Sequence, residues 1–113
     1  MTRIPAAKDP ARNVWLQLGL ADAETHYLKA ELVLRLDRAI RGLGLTQRAA
    51  ARRIGVTQPE LSKILAGKFS EASIERLMRL LAALGCQIEI KVGEAEAGKP
   101  GGVSVSTMRR RAA

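Results

Sequence analysis

The stretch TQRAAARRIGVTQPELSKILAGK, from Thr46 to Lys68, contains two short helical patterns separated by the break GVT. Thr46 and Thr57 can each cap a helix, because a threonine hydroxyl accepts a hydrogen bond from the exposed amides of a first turn. Gly55 tolerates the positive φ angle at which many helices end. The stretch therefore predicts one helix from Thr46 to about Ile54, closed by Gly55, and a second helix that begins at Thr57.

The second of these helices has the clearest start in the chain. Glu60 stands three residues after Thr57, the spacing of a capping box in which each side chain satisfies the other residue's backbone amide. Pro59 falls in the first turn, where its missing N–H is harmless. Ala51 is small enough to let the two helices cross closely. The apolar contacts that fix the crossing angle come from Ala50, Ile54, Val56, Leu61 and Ile64. Together these features predict a helix-turn-helix unit that holds its second helix at the surface.

Helical periodicity continues on both sides of this unit. Asp22 can cap a long preceding helix that ends at the sequence GLG. Its apolar stripe comprises Leu28, Leu32, Leu36, Ala39 or Ile40, and Leu43, with Glu24, Glu31, Asp37, Arg38 and Arg41 outside. A last helix begins at Ser73, or alternatively at Ser70, and ends at Gly85. Its inward positions are Ile74, Leu77, Met78, Leu81 and Leu84. Residues 22–92 are therefore expected to form one mainly α-helical domain.

The segments outside the helices have other patterns. Val14, Leu16, Leu18 and Leu20 alternate with other residues, so that residues 1–21 are expected to form an extended N-terminal arm. The segment CQIEIKV, Cys86–Val92, alternates similarly and predicts a short, half-buried β-strand, which needs the arm or a second subunit to pair its backbone. Residues 93–113 are rich in Gly, Ala and Ser and end in basic residues, which predicts a flexible basic tail.

Composition limits the classes of function. The chain has 113 residues, the size of one domain, and a formal net charge of +8, which favours a polyanionic partner such as nucleic acid or a membrane surface. Between Thr46 and Lys68 there are five cationic residues and one acid, Glu60. The single cysteine, Cys86, excludes an internal disulfide, and it has no neighbouring His or Cys for a metal site. We expect a cytoplasmic protein without metal or cofactor, because signal-peptide and membrane-span patterns are also lacking.

The exposed face of the second helix suggests direct base contacts. The Gln58 amide can pair with N6 and N7 of adenine, and Lys63 can reach guanine or a phosphate. Pro59 and Ser62 lie on the same outward face. Contacts to the DNA backbone are expected from Thr46, Gln47, Arg48, Arg53, Thr57, Lys68 and Ser70. The alternative for each of these residues is an ordinary solvated position, and Arg52 could pair with nearby acids instead.

Several other polar residues favour structural roles. His26 has no nucleophile or second histidine at catalytic spacing and is expected at the surface. Glu60 is expected to be a cap, and Cys86 a core or dimer-interface residue. Dimer contact is predicted through the last helix and the segment after it, at Leu84, Cys86, Ile88, Ile90 and Val92. Paired catalytic carboxylates and a phosphate-cradling glycine loop are also lacking, so an enzyme is the least favoured class.

The stretch LTQRAAARRIGVTQPELSKILAGK resembles the DNA-binding core of the Xre superfamily, which includes the Cro and lambda-type repressors. The flanking stretches NVWLQLGLADAETHYLKAEL and FSEASIERLMRLLAALGCQIEI resemble HigA-type antitoxins, which are encoded beside RelE- or HigB-like toxins. The resemblance covers about residues 13–92. It implies a compact lambda-repressor-like domain that acts as a homodimer on a palindromic operator, represses its own operon and neutralises the toxin by binding it.

In the antitoxin interpretation, Trp15 and Leu16 in the arm are candidates for binding the toxin, since buried tryptophans often dominate interfaces. Trp15 could instead pack the arm onto the core. Two other functions use the same fold. The chain could be a regulator from a phage or mobile element without a toxin, or a protein-interaction module with only nonspecific affinity for DNA.

Overall fold

The computed structural model describes residues 23–108, which fold into four α-helices. These are α1 (Ala23–Gly42), α2 (Gln47–Ile54), α3 (Gln58–Leu65) and α4 (Ile74–Ala83). The mainly α-helical architecture is confirmed. The predicted arm, the Asp22 cap, Trp15, Leu16 and the terminal arginines lie outside the described residues. Within residues 23–108, no helix has both the length and the apolar character required to cross a membrane.

Side-chain caps fix the starts of three helices. Thr46 Oγ1 accepts from the Ala49 amide at 3.0 Å, and Thr57 Oγ1 accepts from the Glu60 amide at 3.2 Å. The last helix begins after Ser73, whose Oγ accepts a hydrogen bond from the amide of residue 76 at 3.0 Å. The cap at Ser73 is therefore correct, and the alternative at Ser70 is wrong. Each hydroxyl replaces a bond that a first-turn amide cannot make within its own helix.

The core lies where α1 packs against α4 and where the α2–α3 pair closes over them. Leu36, Leu61 and Leu77 are the largest fully buried side chains among the described residues. The other buried apolar residues are Leu32, Val33, Ile40, Ala50, Ala51, Ile64, Phe69, Leu80, Leu81 and Leu84. This core joins all four helices and fixes the orientation of α3.

Two positions differ from the apolar stripe predicted for the first helix. Leu43 is 46% exposed, because the helix ends at Gly42 and its period no longer directs that side chain inward. Glu24, expected outside, is 9% exposed. Position 24 lies about one turn before Leu28, the first residue of the predicted stripe, and therefore on the same side of the first turns of α1.

The predicted β-strand over Cys86–Val92 is not formed in the described residues, where this segment has no regular secondary structure. Its alternation is also incomplete: Cys86 and Ile88 pack partly against the core, but Ile90 and Val92 are 74% and 92% exposed. A strand needs a neighbouring strand for its backbone groups, and residues 23–108 supply none.

Part of the segment predicted to be a flexible tail contacts α1. Arg35 Nη2 donates to the carbonyl oxygen of Val105 at 3.1 Å, and the Val105 side chain packs against the core. The same guanidinium donates through Nη1 to Glu31 Oε1 at 2.7 Å. These contacts place residue 105 on the domain although no regular element leads to it.

Candidate nucleic-acid interface

The corner between α2 and α3 has the geometry that the sequence predicts. Gly55 has a φ of 90°, in the left-handed region, and its amide donates to the Ala51 carbonyl at 2.8 Å. The Val56 amide donates to the same oxygen at 3.0 Å. Ala51 is 3% exposed and Ala50 is fully buried. Small side chains and one glycine therefore allow α2 to end sharply and α3 to begin at a new angle.

The polar side of α3 faces solvent. Gln58, Pro59, Ser62 and Lys63 are all exposed, while Leu61 and Ile64 on the opposite side are 0% and 4% exposed. The four exposed residues form two adjacent pairs about one helical turn apart, which places them on one continuous face. The predicted base-reading residues therefore share a protruding surface of a short helix.

Exposed cations surround this face. The predicted backbone contacts are all exposed: Thr46, Gln47, Arg48, Arg53, Thr57, Lys68 and Ser70. Among the ion pairs of the described residues, none includes Arg48, Arg52, Arg53, Lys63 or Lys68. The alternative in which Arg52 pairs with an acid is thus not found there. Positive charge that is not neutralised locally is available to a polyanion.

Comparison with known proteins agrees with this geometry. Residues 14–93 match the model of a family described as a helix-turn-helix domain. A solved structure named as an XRE-family transcriptional regulator superposes with a TM-score of 0.74 at 35% sequence identity, over 77% of this chain and 99% of that one. The chain belongs to the XRE family of helix-turn-helix proteins. No match was found among the curated proteins.

Membership of the XRE family makes the chain a DNA-binding transcriptional regulator, and the two helix starts fit that function. The amides at a helix N-terminus carry partial positive charge and can bind a phosphate oxygen. The first turn of α2 has no acidic residue. The first turn of α3 has one, Glu60, but its carboxylate forms an ion pair with Arg76, whose Nη2 lies 2.6 Å from Glu60 Oε2.

The Glu60–Arg76 ion pair was not predicted from the sequence of this XRE protein. The capping box is only half formed, because Thr57 caps the Glu60 amide while the Glu60 carboxylate bonds to α4 instead of returning to Thr57. The two residues are 16 positions apart, so only the tertiary fold, in which α3 and α4 both pack against α1, brings them together. Spacing along the chain carries no signal for such a contact.

The predicted dimer-interface residues differ in how exposed they are. Leu84 is 3% exposed and packs in the hydrophobic core of the chain itself. Cys86 and Ile88 are partly buried, and burial raises the pKa of the Cys86 thiol. Ile90 and Val92 remain as exposed apolar side chains.

His26 is exposed, as predicted, but its ring also stacks on Phe69 with centroids 5.1 Å apart. A periodic pattern could not have revealed this, since the two residues belong to α1 and to the loop after α3.

Proposed function

We propose that this XRE-family regulator is a sequence-specific repressor that binds a palindromic operator as a homodimer. The observation that carries the proposal is the exposed face of α3, where Gln58 and Lys63 stand beside cations that have no ion-pair partner among the described residues. In such dimers the two recognition helices enter successive major grooves about 34 Å apart.

In this proposal the first turn of α3 reads bases. The Gln58 amide pairs with adenine, and Lys63, one turn further along, reaches guanine. Pro59 and Ser62 complete the surface that fits the groove. The Glu60 carboxylate does not oppose this approach, because Arg76 holds it at 2.6 Å.

Backbone contacts hold the protein in register without reading sequence. The N-termini of α2 and α3, capped by Thr46 and Thr57, approach phosphates on either side of the groove, with Gln47 at the first position of α2. The cationic contacts are Arg48, Arg53 and Lys68, followed by Ser70 in the next loop. Binding is therefore expected to weaken steeply with salt, as counterion release requires.

The dimer forms, in this proposal, around Cys86–Val92. Ile90 and Val92 are large apolar side chains with 74% and 92% exposure, and they follow Ile88, which already packs partly on the core. Exposed apolar residues in a segment that is part of no helix or sheet favour association with a second chain.

We further propose that the repressor is the antitoxin of a RelE- or HigB-like toxin, acts in the cytoplasm and performs no catalysis. Support comes from the resemblance of the stretches on either side of the helix-turn-helix to HigA-type antitoxins. Trp15 and Leu16 are the candidate toxin contacts. A regulator without a toxin and a protein-interaction module without sequence specificity are the competing functions.

Binding of the full chain to DNA from its own promoter tests the proposal. The affinity for promoter and for scrambled duplex is measured by fluorescence anisotropy between about 50 and 200 mM salt, a range over which nonspecific binding falls steeply. A repressor retains preference for the promoter at the higher salt, because base contacts persist when counterion effects weaken. Equal affinity for both duplexes at every salt concentration would exclude sequence-specific repression.

A further inference from the structure

The first turns of α1 contact the loop that follows α3. The imidazole of His26 stacks on the buried ring of Phe69 at an interplanar angle of 24°. Lys29 Nζ donates to the carbonyl oxygen of Ser70 at 2.8 Å. These two contacts join neighbouring positions of the loop to one face of α1.

An open cavity of about 310 Å³ lies at this junction. It is lined by Thr25, His26, Lys29 and Ser70, all of which carry a hydrogen-bond donor, and none of which is acidic. Ser70 lies two residues after Lys68 in the loop that leaves α3. One residue of the cavity, Ser70, is therefore itself a predicted backbone contact, and another predicted contact, Lys68, is two residues away in the sequence.

We propose that this cavity binds a phosphate of the DNA backbone, so that α1 contacts DNA together with the helix-turn-helix unit. The inference rests on the proposed DNA-binding function and extends its contact surface to Thr25, His26 and Lys29. None of these three residues is part of the α2–α3 corner.

The chemistry of the lining matches a phosphate oxygen. An ammonium group has three N–H donors, and Lys29 gives one of them to the Ser70 carbonyl, which leaves two for an anion. The Thr25 and Ser70 hydroxyls and a ring N–H of His26 add further donors. Hydrogen bonds from a cation to an anionic oxygen are about twice as strong as those between neutral groups.

A phosphate is favoured over a protein partner because the described residues that line the cavity include no aliphatic side chain that could serve as an apolar anchor. Protein interfaces obtain most of their affinity from a few buried aromatic or arginine side chains. Phe69, in the loop beside Ser70, is 7% exposed and its ring stacks on that of His26. The described side chains that line the cavity all end in polar groups, and one of them, Lys29, carries a positive charge.

The test uses the full chain and a random duplex, with the logarithm of the affinity plotted against the logarithm of salt concentration. Each phosphate contact contributes a slope of about −0.9 on duplex DNA, so Lys29→Gln is expected to reduce the magnitude of the slope by about one. Lys99→Gln is the matched control, since it removes the same charge from a residue that pairs with Glu96 at 2.9 Å outside the cavity. The control should leave the slope unchanged.

The same substitution in a chain that also carries Lys68→Gln distinguishes direct phosphate contact by Lys29 from an indirect effect through the position of the loop. If Lys29 acted only by positioning Lys68, then Lys29→Gln would have no further effect on the slope in a Lys68→Gln chain. Direct contact predicts a reduction of about one in either background, because independent phosphate contacts add. Absence of the second reduction would overturn the proposal.

His26→Phe keeps an aromatic ring on Phe69 but removes the ring N–H. At constant salt we expect an affinity loss of about tenfold, the usual worth of a hydrogen bond to a charged group. Unchanged affinity of both His26→Phe and Lys29→Gln would also overturn the proposal. So would weaker binding of the neighbouring gene's product by Lys29→Gln with an unchanged salt slope, which would assign the cavity to a protein.

The two proposals fail in different ways. If the wild-type chain prefers its promoter but Lys29→Gln keeps the full salt slope, the phosphate site is wrong and sequence-specific repression stands. If the chain binds promoter and random DNA equally but Lys29→Gln loses one contact, the phosphate site stands and repression fails.

Discussion

Arg76 of α4 donates through Nη2 to Glu60 of α3 at 2.6 Å, and so ties the start of the recognition helix to the last helix. Both side chains are between 40% and 47% exposed, so the pair adds little to stability, of the order of 0–1 kcal/mol. Its larger consequence is electrostatic, because it neutralises the one carboxylate in the first turn of α3.

The first prediction is that Arg76→Met weakens DNA binding through release of the Glu60 charge. The freed carboxylate would lie in the first turn of the helix that approaches phosphates and would repel them. Arg79→Met is the matched control: it removes the same charge from the same helix, at a residue paired with Glu75 at 2.7 Å.

Anisotropy measurements should show a larger affinity loss for Arg76→Met than for Arg79→Met. Addition of Glu60→Gln to Arg76→Met should recover most of the difference, since no carboxylate then remains at the helix start. If the two arginine variants lose affinity equally, the ion pair has no role in DNA binding beyond net charge.

The second prediction concerns base reading. Gln58→Ala is expected to cost about 1–3 kcal/mol on the promoter site, the usual worth of a bidentate base contact, and much less on scrambled DNA. Thr107→Ala, at an exposed residue outside both the helix-turn-helix unit and Cys86–Val92, should change neither affinity. If Gln58→Ala keeps the ratio of promoter affinity to scrambled-duplex affinity of the parent chain, Gln58 does not contact a base.

The third prediction concerns the turn at Gly55. Its φ of 90° is unfavourable for a residue with a Cβ, and no heavy atom lies within 4 Å of the position a Cβ would take. Gly55→Ala should therefore destabilise the fold through the backbone alone, by about 1–2 kcal/mol in urea denaturation. Gly93→Ala, where φ is not in this region and space is also open, is the control. Equal stability of the two variants would contradict strain at the turn.

The fourth prediction tests the dimer. Ile90→Lys places a charge in the proposed interface and should convert a dimer to a monomer, as measured by light scattering with size-exclusion chromatography. Leu34→Lys is a control, since Leu34 is 41% exposed on α1 and lies outside Cys86–Val92. A dimer mass retained by Ile90→Lys would place the interface elsewhere.

The fifth prediction tests the antitoxin proposal. The product of the adjacent gene should co-purify with the full chain, and Trp15→Ala should reduce its affinity by about 2 kcal/mol or more if Trp15 is a hot spot. DNA binding by Trp15→Ala in the absence of that product should be unchanged. Lack of any complex with the wild-type chain would favour a regulator without a toxin.

The sequence by itself determined the elements of the helix-turn-helix unit. Threonine and serine caps, the glycine at position 55 and the apolar period act through neighbours within a few residues, so their effects can be read from spacing alone. Thr46, Thr57 and Ser73 cap helices in the structure, and Ala50 and Leu61 are fully buried. The exposed polar face of α3 follows from the same period.

Tertiary structure decided the contacts between distant segments. The Glu60 carboxylate bonds to Arg76 instead of completing its local cap, and Lys29 reaches the loop at Ser70, 41 residues away. The segment after α4 illustrates the same limit, because alternation predicts a strand but a strand forms only beside a neighbouring backbone. Local pattern fixes which residues can make an interaction, whereas the packing of helices fixes which partner is within reach.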